Sequence, residues 1–131
     1  MQKIKNIIFY IGMSTLFTHE LDALINHEWR LLPFIGLLSD EYGEMAFIFI
    51  HIPLFAILIA LVASSNDKVR TRSRVGISVF LVIHGLLHVL FMGNVSYEFA
   101  STLSNVLIFG GAIFGAVFLL LDFIDKRSNN I

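Results

Sequence analysis

The chain has 131 residues, with 9 Lys+Arg, 10 Asp+Glu, 5 His and no Cys, and its net charge is −1. Hydrophobic residues make up 56% and charged residues 15%, with a mean hydropathy of +0.80, against roughly 45–50% and 25% in an average soluble domain. These values exclude a small soluble core. The balanced charge also argues against a nucleic-acid partner, and the lack of Cys excludes disulfides, thiolate metal sites and a Cys nucleophile.

A transmembrane helix needs roughly 20 mostly apolar residues to cross about 30 Å of hydrocarbon. Four stretches meet this need in chain order: about 4–25, 45–63, 75–93 and 102–121. Strand alternation is absent, so a membrane barrel does not fit. The reading is an all-α, four-helix transmembrane bundle in a single integral membrane domain, residues 1–131. The first stretch has a basic start at Lys3 and Lys5. Thr18-His19-Glu20 follows its apolar run in place of a small-residue cleavage site, so it reads as a retained span.

Eight of the nine basic residues flank the spans on one side: Lys3, Lys5, Lys68, Arg70, Arg72, Arg74, Lys126 and Arg127. The positive-inside rule makes that side cytoplasmic and puts both termini there. Localisation follows as an integral membrane protein, expected in a bacterial inner membrane. Arg30, Asp40, Glu41, Glu44 and Glu98 fall on the outer side. Arg30 is expected to snorkel or to pair with an acid, and Glu44 and Glu98 to be solvated loop charges. Trp29 and Tyr42 are expected in the interfacial aromatic belt.

Ionisable groups within spans are expensive and point to function. At about 1.5 Å per residue, His19, His51 and His88 all lie roughly 8–9 Å below the outer boundary, and His84 about 14 Å below it. Asp22, Glu20, Asn26 and His27 lie nearer the surface, and Ser104 and Asn105 share the outer half. Thr15, His19, Asp22 and Asn26 form one stripe, with Glu20 and His27 on a second about 100° away. Glu44, Ile48, His51 and Phe55 line one face of span two, while His84 and His88 stack one turn apart on span three. Pro53 removes a backbone donor and frees the Phe49 carbonyl, close to His51.

Neutral imidazoles suit transition metals. His19, His51, His84 and His88 are therefore candidate ligands of a divalent ion, Zn or Fe, with Glu20 or Asp22 as general base or extra ligand. The implied activity is a metal-dependent enzyme that draws a lipid-like or other small-molecule ligand from the outer leaflet. Three alternatives stand beside it. Two His at matched depth could hold a b-type haem, the 13 Phe supplying apolar walls. The His and carboxylates could move protons or metal ions. They could also form a hydrogen-bonded layer that only fixes helix register. Membrane lipid is the expected surroundings, and Gly111 and Gly115 offer close packing within the bundle or between copies of a homo-oligomer.

The residues His19-Glu20-Leu21-Asp22-Ala23 and Glu28-Trp29-Arg30 carry a resemblance. HELDALINHEWRLLP is similar to an uncharacterised family of small four-span bacterial membrane proteins with a HE-x-DA…EWR signature. That resemblance implies a fold but no activity. A looser likeness is to the HXXEE family of small membrane proteins, from which this chain departs by lacking the acidic doublet. The spacing of His84 and His88 resembles site chemistry in the alkaline ceramidase and adiponectin-receptor superfamily, whose members have seven spans.

Overall fold

A computed structural model describes residues 1–128. Among them the chain forms four long helices and no strands: α1 (Gln2–Ile25), α2 (Asp40–Val62), α3 (Asp67–Phe91) and α4 (Thr102–Ser128). Two short 3₁₀ turns, Glu28–Leu31 and Ile35–Leu37, fill the connection from α1 to α2. The helices continue past the apolar stretches into polar flanks. Asn66 makes this possible for α3, its side chain accepting hydrogen bonds from the Lys68 and Val69 amides, which satisfies donors left free at a helix start.

Helices α2, α3 and α4 are each long and apolar enough to cross a membrane. Helix α1 is of similar length, 24 residues, but carries Lys5, His19, Glu20 and Asp22. The structure buries Lys5, His19 and Asp22 inside the bundle. The polarity that sets α1 apart is thus turned into the bundle, and none of those three side chains faces the surroundings.

Lys5 bonds to Asp122 at 2.7 Å and to Asp125 at 3.0 Å. This joins the start of α1 to the end of α4, so the two run antiparallel. Arg74 donates to Asn6 at 2.8 Å and Tyr10 at 2.9 Å, which sets the start of α3 beside the start of α1. One apolar cluster, Phe9, Met13, Val62, Ile77 and Phe118, fills this end of the bundle. A second, Ala23, Trp29, Phe47, Phe99 and Ile108, fills the other.

Helix α4 is held closely by α1 and α3, and its small residues explain why. A Cβ on Gly115 would stand 2.6 Å from the Ser78 carbonyl oxygen, and one on Gly111 would touch Leu81 and Thr15. Both glycines therefore face the inside of one bundle. Helix α2 stands apart. It rests on α3 and on the 3₁₀ turns, touches α1 little, and buries only Gly43, Phe47 and Val62. Its outer face is a continuous apolar surface including Ile48, Phe49, Ile52, Ile57 and Ile59, suited to hydrocarbon rather than water.

Candidate metal centre

The site begins where α1 ends. His27 adopts a left-handed conformation, φ 51° and ψ 42°, which is uncommon for a residue with a Cβ. It reverses the chain and sends Glu28 and Trp29 back toward the bundle, where both are buried. Outside, ion pairs hold the turn. Arg30 makes a two-pronged contact with Asp40, at 3.0 and 2.9 Å, and donates to Glu98 at 2.8 Å. His27 Nδ1 lies 2.8 Å from the same Glu98 carboxylate. The hydrogen bond from His27 and the charge of Arg30 hold the Glu98 carboxyl below its ordinary range.

Inside, four side chains converge: His19 from α1, Glu28 from the turn, and His84 and His88 from α3. One ligand atom from each can be chosen so that all lie within 4.8 Å of one another, so the group can hold a metal ion. His84 and His88 meet because they are one helical turn apart, their Nε2 atoms separated by 3.2 Å. His19 Nε2 is 3.4 Å from Glu28 Oε2, and His88 Nε2 is 3.9 Å from Glu28 Oε1. Bonds of about 2.0–2.1 Å to a tetrahedral ion place neighbouring ligand atoms roughly 3.3–3.4 Å apart. Two of these separations fall near that edge length.

The protein alone does not satisfy these atoms. His19 is 1% exposed, yet neither ring nitrogen has a hydrogen-bond partner, and Glu28 Oε2 has none either. Buried polar atoms are rarely left so, and an unpaired buried carboxylate costs several kcal/mol, about the scale of a desolvated ion. A cation at the centre would satisfy His19 Nε2 and Glu28 Oε2 together.

The loop before α4 closes the outer side. His88 Nδ1 and the Tyr97 hydroxyl oxygen lie 3.2 Å apart, and when Nδ1 carries the proton of this contact Nε2 is free to bind. Burial and the nearby Glu28 push the Tyr97 hydroxyl up from its ordinary pKa, so it stays protonated. Phe99, 1% exposed, packs on both His19 and His88, with ring centroids 5.5 and 4.8 Å away.

His51 lies outside the four-residue group. Its Nδ1 donates to the Phe47 carbonyl at 2.6 Å, one turn back on α2, rather than to the Phe49 carbonyl that Pro53 frees. Its Nε2 then points at Glu20, 2.9 Å away. Glu20 is thereby a partner of His51 and not of the converging set. Asp22 is buried with Oδ2 unpartnered, also apart from the set. Ser104 and Asn105 bond to Ser101 at the start of α4. A cavity of about 350 Å³ between α2 and α3 joins the Glu20–His51 pair to three of the four converging residues, since Glu20 and His51 line it along with Glu28, His84 and His88.

The chain belongs to a family of unknown function, DUF6713. That family's model matches residues 5–125, which include every residue of the site. No curated protein and no solved structure matches the chain.

Sequence reasoning brings in His19, His84 and His88 as ligand candidates but passes over Glu28, Tyr97 and Phe99. The second His-Glu dipeptide, His27-Glu28, was the available signal for Glu28. Trp29 also differs from its expected place in an interfacial belt. It is 2% exposed, because the same reversal that delivers Glu28 drives the indole against Gly43 and Phe47. Arg30 pairs with acids, as its position suggests.

Proposed function

We propose that this protein is a metal-dependent integral membrane enzyme acting on a lipid-like substrate. One observation carries the reading: three imidazoles and a carboxylate converge within 4.8 Å, and the buried His19 nitrogens and Glu28 Oε2 have no hydrogen-bond partner. Imidazole with one carboxylate suits Zn or Fe. Such an ion lowers the pKa of bound water and polarises a substrate oxygen. Four protein ligands would fill a tetrahedron, so reaction would require a fifth position or release of one ligand, and Glu28, His84 and His88 all line the cavity. The Glu20–His51 pair faces that cavity and is placed to take a proton from water and return it to a leaving group, as in general acid–base catalysis. With Nδ1 committed to Phe47, the pair exchanges its proton through Nε2.

All four helices cross the membrane in this reading. The basic flanks put both termini in the cytoplasm and the site in the outer leaflet of a bacterial inner membrane. A b-type haem fits less well. His19, His84 and His88 touch one another, with centroids 4.7 to 5.0 Å apart, which leaves no slab for a macrocycle between them.

Metal content of the purified protein tests the proposal, measured by mass spectrometry without chelators. About one ion per chain is expected in wild type, lost in His84→Ala/His88→Ala. Absence of metal in wild type, with no binding on addition, would overturn it in favour of a polar network. A haem absorption band, or ion flux in liposomes that vanishes in His51→Ala, would point to the other two readings.

A further inference from the structure

We infer that the groove between α2 and α3 holds the hydrocarbon chain of a single-chain amphiphile, with its oxygen-bearing head at the His/Glu end. This rests on the proposed reading of the site and names its substrate class. A second cavity, about 290 Å³, continues from the first, and the two share Glu20, Leu54 and Phe80 as walls. Beyond Glu20 its lining is entirely apolar: Leu16, Leu54, Phe55, Leu58, Ile77 and Phe80, with Gly76 at the far end. Polarity is thus confined to one end and hydrocarbon walls make up the rest, the distribution of an amphiphile itself.

Length agrees with this. From His88 to Gly76 along α3 is twelve positions, about 18 Å at 1.5 Å per residue, or a little more than half of a roughly 30 Å hydrocarbon core. The lips of the groove are open. Leu54 and Phe80 are 41% and 45% exposed, so a chain lying in the bilayer can enter sideways between the helices. The weak contact between α2 and α1 leaves this space. Gly76 keeps its end clear, since a Cβ there would meet nothing within 4 Å.

The test uses full-length protein in nanodiscs and a long-chain fatty acid carrying a diazirine in its chain. After photolysis, labelled residues are mapped by mass spectrometry. Labels are expected on Leu54 to Leu58 of α2 and Gly76 to Phe80 of α3. Gly76→Trp fills the groove and is expected to cut this labelling about tenfold, the loss from roughly two buried methylenes. Gly110→Trp is the control, because a Cβ at Gly110 also meets open space, away from the groove. Labelling spread evenly over the exposed faces of α2 and α4, unchanged by Gly76→Trp, would overturn the inference. His84→Ala/His88→Ala separates the two readings. Groove labelling that persists in that variant shows that the groove holds its chain without the metal, whereas wild type that labels in the groove but carries no metal keeps the groove and removes the metal reading alone.

Discussion

Glu28 Oε2 lies 3.4 Å from His19 Nε2, although the two residues sit on opposite sides of a chain reversal at His27. Neither atom has a hydrogen-bond partner in the protein. In the proposed reading a cation lies between the two. Replacing Glu28 by Gln keeps the shape and removes the charge. Metal affinity is expected to fall by more than the roughly 10–100-fold typical of an outer-shell partner, read by competition with a chelating dye. Binding to the folded state alone contributes about 2.7 kcal/mol at a hundredfold excess over Kd, so a chelator should lower the Tm of wild type. That difference should vanish in Glu28→Gln.

The Glu20–His51 pair makes a different prediction, because it touches the cavity but not the ligand set. His51→Ala and Glu20→Gln should each retain the metal. Turnover of an amphiphilic ester should drop by about 10²–10⁴-fold, the usual contribution of a general acid–base group. Loss of metal in either variant would instead place His51 or Glu20 among the ligands.

Tyr97 acts on the centre through His88. Tyr97→Phe removes the hydrogen-bond partner of His88 Nδ1 and leaves the aromatic ring in place. About a tenfold loss of metal affinity is expected, with unchanged helix content by circular dichroism. Equal affinity in the variant would show that Phe99 and the helix backbone orient His88 without the hydroxyl.

Packing predicts that similar glycine substitutions differ in sign. A Cβ at Gly115 would stand 2.6 Å from the Ser78 carbonyl oxygen, and one at Gly43 would stand 2.6 Å from Trp29 Cδ1. Gly115→Ala and Gly43→Ala should each cost about 1–3 kcal/mol through overpacking. Gly43→Ala should also weaken metal binding, since displacing Trp29 moves its neighbour Glu28. Gly110→Ala meets open space and should stabilise the helix by up to about 1 kcal/mol. Thermal unfolding in detergent checks all three.

The outer clamp gives a pH dependence. Glu98 is held below its ordinary value of 4.5 by the His27 hydrogen bond and by Arg30. A carboxyl with a depressed folded-state pKa contributes stability above its unfolded value, and that contribution is lost as pH falls through the folded value. Wild type should therefore lose thermal stability on acidification below 4.5 more steeply than Glu98→Gln. Metal release by protonation of the histidines adds to the acid loss, so the comparison belongs in metal-free protein.

Helix type was legible because it depends on local properties. Apolar runs of about 20 residues, the basic flanks and the one-turn spacing of His84 and His88 are all read from neighbours in sequence. Relative level along the helices was legible for the same reason, since rise per residue is constant. His19 on α1 and His88 on α3 share a level by that arithmetic, and they do touch. His51, assigned the same depth, has a different partner, Glu20. Depth fixes one coordinate only, and rotation and lateral position around the bundle depend on which helices pack.

Sequence alone determined an all-helical, apolar chain with histidines layered in one half. The tertiary structure decided which of them meet. Glycines on α4 let α1 and α3 close together and bring in His19, His84 and His88, while α2 stands off and leaves His51 to Glu20. The left-handed turn at His27, clamped from outside by Arg30, Asp40 and Glu98, delivers Glu28. None of this follows from hydropathy or periodicity, because a single positive φ and a pair of long-range ion pairs leave no periodic trace in the chain.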